Sequence, residues 1–346
     1  MKKHQMAIYR RCFILLAAVI PLMACTTASR QMPVPNTPPP PWHSKFETGH
    51  PLAGRIWQPG QNRYVQKELV QRRVRGADFV LLGEQHDNID HHLIQAWLVQ
   101  SAFERGRVAP VAFEMFTTEQ SRRLEKYQSN HPGDARQLGQ YMRWDKSGWP
   151  AWSMYYPVAQ AAMAAAAPLI AASLPRRQFR PMVKKGAKAV LGSHAFSRLG
   201  LDAEMPPAVQ AAMRREIIES HCNMLPKTMV GPMVQVQRVK DAGMARILID
   251  SDSRSGGNGA LLIAGIGHVR NDHGVPWHLK RAAPNKSILT IGMIEVEGGL
   301  TDPRQYGANF GAGKVPFDFV WFTPRSDDTD PCERYSRQLR KIGKPK

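Results

Sequence analysis

Two glutamates and two histidines, each just past an apolar run, are the residues of this sequence best suited to chemistry. In Asp78–His92, DFVLLGEQHDNIDHH, the apolar run stops at Gly83 and gives way to Glu84, His86, Asp87, His91 and His92. Glu114 stands near the end of a second run, Ala109–Phe116, and Ser173 near the end of a third, Pro168–Leu174. His268 and Arg270 follow a fourth, Ala260–Gly267. Carboxylates and imidazoles gathered in one place can exchange protons with a substrate or hold a divalent cation. One reading is therefore a hydrolytic site of Glu84, His86, Glu114 and His268, with or without a metal. A structural reading competes with it, because Glu84 and Glu114 can equally be buried partners of Arg270 or of helix amino termini. His86 and His268 lie past Gly-containing strand ends, a position that favours function. His91 and His92 fall on the next helix, where one is expected to face solvent, and His221 beside Cys222 reads as a helix-end residue.

Other chemistries lack their signatures. The helical HExxH and the CxxC pairs of structural zinc sites are absent, and so is the GxSxG elbow of serine hydrolases.

The elements that would position these residues can be read from the spacing of apolar side chains. Short buried runs alternate with segments of helical period: Gln66–Val74 before the first run, Asn88–Arg105 after it with Asp87 or Asn88 as its cap, then a helix that Thr117 and Gln120 open as a capping box. Val158–Ala167 is an Ala-rich helix, Pro206–Cys222 and Met229–Asp250 are further helices, and strands at Ser287–Val296 and Phe317–Phe322 complete the sheet. Strand–helix alternation predicts a three-layer α/β/α fold with a mainly parallel sheet, which would bring Glu84, His86, Glu114, Ser173, His268 and Arg270 to one edge. The stretch from 176 to about 228 interrupts this rhythm and opens with Arg176, Arg177, Arg180, Lys184, Lys185 and Lys188. It is expected to form a helical cap.

The chain of 346 residues is long enough for one large domain, placed here at 51–325, with a charged tail at 326–346. A formal charge of +19 invites a nucleic-acid reading, but aromatic residues are not interleaved with the basic ones as stacking platforms, so anionic lipid or an anionic ligand is the better partner. Residues 1–24 combine Lys2, Lys3, Arg10 and Arg11 with an apolar run too short to span a bilayer, which predicts a secretory signal. The signal ends in Leu22-Met23-Ala24-Cys25, which resembles the bacterial lipoprotein box and implies acylation of Cys25. Each buried CH₂ of the acyl chains would add ~0.8 kcal/mol to membrane anchoring. Thr26 in place of an acidic residue favours the outer membrane by the same resemblance. Removing residues 1–24 takes four basic and no acidic side chains away, so the basic character is not a property of the signal. A Pro-rich stretch at 25–50 would serve as an extended tether, and Cys222 and Cys332 allow at most one disulfide.

A second kind of chemistry is suggested by Tyr141–Pro157, which carries Trp144, Trp149, Trp152, Tyr155 and Tyr156, together with the basic stretch after the third strand. Haem is a flat, largely apolar anion that wants aromatic walls, cations at its propionates and an iron ligand. In order, the motifs LLGEQHDN, AFEMF, GWPAWSMYYP, HCNMLP and AGIGHVRNDHGVP resemble the ChaN-like haem-binding lipoproteins, over about Asp78–Lys280. That family lies in the wider group of Tiki proteases and erythromycin esterases. The resemblance implies non-covalent b-type haem, Tyr155 as the iron-ligating tyrosine with Tyr156 adjacent to it as a second candidate, and a homodimer enclosing two stacked haems. It further implies a role in haem uptake, with a possible uptake receptor as partner. From charge, Lys184, Lys185, His194 and Arg270 are the candidates for the propionates. The sequence departs from the family pattern at Ser173, where Asn is expected.

Overall fold

Alternation along the buried strands decides which face of the sheet each residue serves. The computed structural model describes residues 41–333 apart from 105, 312 and 331, so the expected signal segment, Cys25, most of the tether and the end of the tail lie outside the described residues. The strands are β1 (Ile56–Gln58), β2 (Arg63–Val65), β3 (Phe79–Glu84), β4 (Val111–Thr117), β5 (Leu169–Ser173), β6 (Ala260–Gly265), β7 (Ile288–Glu295) and β8 (Phe319–Thr323). They form one eight-stranded sheet in the order β2-β1-β8-β7-β3-β6-β4-β5. From β3 onward every pairing is parallel, so their carboxyl ends share one edge. The mainly parallel α/β architecture is the one the sequence predicts.

Val80, Leu82, Leu261 and Ile263 point into one apolar layer, while Phe79, Leu81, Leu262 and Ala264 point into the other, as a side-chain period of two requires. The first layer is covered by the helices Lys67–Gly76, Ile89–Phe103, Ser121–Asn130 and Trp152–Ala164. The second is covered by Lys227–Arg254 and Val275–Ala282. Burial on both faces explains why β3 and β6 read as unbroken apolar runs.

Several boundaries differ from the expectation. The antiparallel β1–β2 hairpin has strands of three residues, too short to show a period, and joins the sheet through β8. The domain also begins before 51, because buried Asp90 accepts hydrogen bonds from the backbone N–H groups of His43 and Ser44, both at 2.8 Å. The helix expected at 158 starts at Trp152 and includes Pro157, which deprives the Ser153 carbonyl of its helical partner. Packing of Tyr155, Val158, Ala159 and Ala162 into the first layer outweighs that loss. The cap is present and consists of short helices at Phe179–Lys185, Ala187–Leu191 and Ser193–Arg198, then Pro207–Glu219 and the start of Lys227–Arg254. It has a small core of its own around Met182, Leu201, Val236 and Val239. Cys222 and Cys332 form a disulfide across a separation of 110 residues, closing the question the sequence left open. Among the described residues no helix is long and apolar enough to cross a membrane.

Gly83 sets how closely the turn after β6 can lie over β3. A Cβ there would fall 2.3 Å from the Val269 side chain and 3.1 Å from the Ile266 backbone. Gly83→Ala is therefore expected to lower stability by about 1–3 kcal/mol through overpacking. Urea denaturation followed by circular dichroism measures this, and an unchanged midpoint would show that the turn has room.

Candidate functional site

Parallel register brings the polar ends of β3, β4 and β6 together, since Glu84 pairs with Gly265 and Phe113 with Ile263. Glu84 is 1% exposed. Its Oε1 accepts hydrogen bonds from the Tyr155 hydroxyl and from His86 Nδ1, both at 2.9 Å, and its Oε2 lies 3.2 Å from His92 Nδ1. His92 Nε2 reaches the His86 carbonyl at 3.1 Å. Burial opposes ionisation of Glu84, but the charges and hydrogen bonds of His92 and His86 hold it far below the ordinary carboxylate range. Burial and the Glu84 charge together push the Tyr155 phenol far above its ordinary value.

Glu114 anchors a second group. Its Oε2 accepts from the Gly265 backbone N–H at 2.9 Å, while Oε1 accepts from Lys240 Nζ at 2.9 Å and lies 3.1 Å from His268 Nε2. His268 Nδ1 meets Asp241 Oδ1 at 2.5 Å and the Gln237 amide at 3.1 Å. Burial works against a charged imidazole, yet the Glu114 and Asp241 carboxylates overcome it and lift His268 to about 9. Burial raises Asp241 above its ordinary value although the His268 cation pulls the other way. Glu114 is held well below its ordinary value, burial being outweighed by His268 and Lys240. His86 joins the two groups: Glu84 and Glu114 raise its pKa against burial, and Gly265 leaves room for its ring, because a Cβ there would lie 2.9 Å from His86 Nε2. With His86 34% and Lys240 22% exposed, the cluster communicates with solvent.

The aromatic segment is not a separate surface. Trp149 Nε1 donates to the Met115 carbonyl at 3.1 Å, its ring lies edge-on to His86 with centroids 4.7 Å apart, and Arg176 sits 5.2 Å above it. Trp144 packs on Tyr155 at 4.9 Å. These rings wall the carboxylate cluster.

The edge thus gathers Glu84, His86, Glu114 and His268, as the sequence suggested, while the other expected positions divide. Tyr155 is fully buried and donates to Glu84, whereas Tyr156 is half-buried. Lys184, Lys185 and His194 are exposed on the cap and form no hydrogen bond or ion pair with the cluster. Arg270 is 1% exposed and bound to Asp272 and the Phe310 carbonyl, so it is not free to meet a propionate. Ser173 bonds only to its neighbour's carbonyl. His91 and His92 are both buried, against the expectation that one faces solvent: His91 Nδ1 accepts from the Gln85 N–H and Nε2 pairs with Thr323. Asn88 caps the helix that carries them, and His221 sits on the Ile217 carbonyl at a helix end.

Lys240, Asp241 and Gln237 escaped the sequence reading. Their signal is a charged pair set between Val239 and Ala242 on an otherwise buried helical stripe. Among the described residues no group of three or more His, Cys, Asp or Glu side chains is arranged to hold a metal ion.

Residues 70–279 match the family model described as haem-binding uptake, Tiki superfamily, ChaN. Among solved structures the chain resembles that described as cofacial haem binding to ChaN of Campylobacter jejuni, with a TM-score of 0.59 and 21% identity over 77% of this chain and 95% of that one. That likeness shows the fold. The type III effector HopBA1 aligns at a TM-score of 0.40 with 11% identity, over 79% of this chain and 97% of that one. A mutant of the erythromycin esterase EreC in its open conformation aligns at 0.38 with 13% identity, over 83% and 87%. No curated protein sequence matches significantly.

A raised histidine pKa stabilises the folded state below the unfolded value, and that contribution disappears as pH rises through the folded value. For His268 the window runs from 6.5 to about 9. His268→Gln should therefore cost about 3 kcal/mol near pH 6 and much less above pH 9. Denaturation midpoints of both proteins across this range test it. Glu216, lifted by burial to about 7, adds a slope of the same sign to both proteins, and because the His268 charge acts on it, their difference reads His268 together with that coupling. A difference that stays constant with pH would show that His268 is neutral.

Proposed function

The chain belongs to the ChaN family of haem-binding uptake proteins within the Tiki superfamily, and from that membership we propose that it binds haem non-covalently, with the Tyr156 phenolate on the iron. The observation that carries the choice of ligand is the contrast between adjacent tyrosines. An iron ligand must present an accessible oxygen that can ionise. Tyr155 is shut away, donates to Glu84 and resists ionisation, whereas Tyr156 is partly exposed. Exposed Lys184, Lys185 and His194 suit propionate carboxylates, and Arg270 does not. The sequence has no Cys-x-x-Cys-His motif, which favours b-type haem over covalent attachment. Haem bound there would supply a ferric centre of low potential, and the protein's part is to orient it and screen it from water.

Cofacial binding, as described for the C. jejuni protein, points to a homodimer in which two haems face each other. The signal segment and Cys25 support an outer-membrane lipoprotein that delivers haem to an uptake partner, and the Cys222–Cys332 disulfide suits the oxidising compartment this requires. Hemin titration of the purified protein should give a saturable Soret change accompanied by dimerisation in light scattering. Tyr156→Phe should weaken binding at least about tenfold, the loss expected for a ligand worth 1.4 kcal/mol or more. Tyr155→Phe should lower the melting temperature and leave the Soret spectrum of the complex unaltered. No saturable change at micromolar hemin would remove the proposal, and selective loss in Tyr155→Phe would return the iron to Tyr155.

A second reading rests on the edge cluster. Glu84 and Glu114 held ionised beside His86 and His268, with an opening at His86 and Lys240, is an arrangement suited to acid–base hydrolysis. If it operates, p-nitrophenyl ester turnover should fall by about 10²–10⁴ in Glu84→Ala and Glu114→Gln while the fold is retained. Turnover indifferent to both changes would leave the cluster a structural role.

A further inference from the structure

The cap contains a cavity whose walls include nothing from the edge cluster or from helix Trp152–Ala164. It is partly open to solvent and has a volume of about 590 Å³, within the range of roughly 300–1,000 Å³ common for small-ligand sites. Met182, Val183, Leu201, Met205, Pro232 and Val234 supply apolar wall, Arg214 and Arg238 supply positive charge, and Asp202 and Glu204 supply negative charge.

Arg238 is the unusual member. Its side chain is half-buried, one terminal nitrogen donates to the Ala203 carbonyl, and Nε is shut from solvent without a hydrogen-bond partner. Among the described residues no carboxylate lies within ion-pairing distance of it. Asp202 acts on it only from farther away and is itself paired with Lys188 at 3.7 Å, and Glu204 on the cavity rim is exposed. Neighbouring Arg281 adds like charge: burial, then Arg281, holds Arg238 below the ordinary guanidinium value. Burial together with both arginines pushes His278 down to about 3, so that imidazole is neutral at physiological pH and offers no counter-charge. A partly desolvated cation without a partner is costly unless something completes it.

The helix forming one wall carries two poor helix formers at the same place. Gly231 and Pro232 stand inside Lys227–Arg254, where the proline removes a donor and leaves the Thr228 carbonyl without its helical partner.

We propose that the cap cavity binds an amphiphilic carboxylate, with its apolar chain between Met182, Leu201, Met205 and Val234 and its head group on Arg238 and Arg214. The guanidinium forks can take both carboxylate oxygens, and the chain replaces water against the methionines and valines. The site is independent of the haem reading, because Tyr156 takes no part in it.

A dansyl-labelled undecanoate is the probe, added to the purified full chain. Its fluorescence should rise saturably, laurate should displace it, and dodecanol, which has the same chain without the charge, should not. Arg238→Gln should weaken binding about tenfold to a hundredfold, as expected for a charge-assisted contact. Val234→Trp, which fills the cavity from a partly exposed position, should abolish it, and Tyr156→Phe should leave it unchanged. Circular dichroism confirms that each variant is folded. If Arg238→Gln does not fold, Arg214→Gln and Val234→Trp decide. Absence of saturable binding, equal displacement by dodecanol, or undiminished binding in the folded cavity variants would each overturn the proposal. Stoichiometric displacement by hemin with loss of hemin binding in Val234→Trp would make the cavity a haem pocket and overturn it as a separate site.

Discussion

Burying the Glu84 carboxylate at the end of the central strand is the constraint on which the rest of the edge depends. An isolated carboxylate in such a place would cost several kcal/mol or would take up a proton. It stays charged because three side chains converge on it: His86 from the turn after β3, His92 from helix Ile89–Phe103 and Tyr155 from helix Trp152–Ala164. The two helices pack on each other in the first layer, so satisfying one carboxylate also fixes their relative positions. The same helix start is held from outside, with Asn88 capping it and Asp90 receiving the backbone of residues 43 and 44. The entering chain is thereby fastened to the first turn of the helix that serves Glu84.

Glu114 poses the same problem on β4, separated from β3 by β6. Its solution draws on the opposite layer, where Lys240 and Asp241 come from a helix covering the other face of the sheet. Carboxylates and imidazoles alternate from Glu84 through His86 to Glu114, and on through His268 to Asp241. Such alternation lets several charges share a small dry volume: neighbours outweigh burial at Glu84, Glu114 and His268, while at Asp241 burial prevails. Gly265 is where the chains of contact meet, accepting the approach of His86 and donating its N–H to Glu114.

Much of this was legible in the sequence because its signals are local. An apolar run ending in Gly-Glu is visible in DFVLLGEQH, and parallel topology follows from strands separated by helices, so Glu84, Glu114 and His268 could be brought to one edge without coordinates. Asn88 and the Thr117–Gln120 pair were readable as caps for the same reason. What escaped depends on tertiary direction. Lys240 and Asp241 lie in the middle of a long helix, and only the packing of that helix shows that they face the sheet edge. The hairpin of β1 and β2 is too short for a period. Burial of both His91 and His92 reflects a helix covered on nearly every side, which no amphipathic pattern announces. The aromatic segment read as a possible second surface because sequence distance hides that Trp149 packs on His86 and Tyr155 bonds to Glu84.

The paired tyrosines stand in different surroundings. Adjacent residues on a helix project roughly 100° apart, so when Tyr155 turns inward to Glu84, Tyr156 is turned toward the flank. A buried carboxylate beside a phenol stabilises the neutral hydroxyl as a donor and disfavours the phenolate, which makes Tyr155 a good partner for Glu84 and a poor one for ferric iron. The flanking phenol is partly exposed to solvent. The same carboxylate that fixes the helix thus determines which of two identical side chains remains open to a ligand. The polar edge can support haem binding structurally without touching the haem.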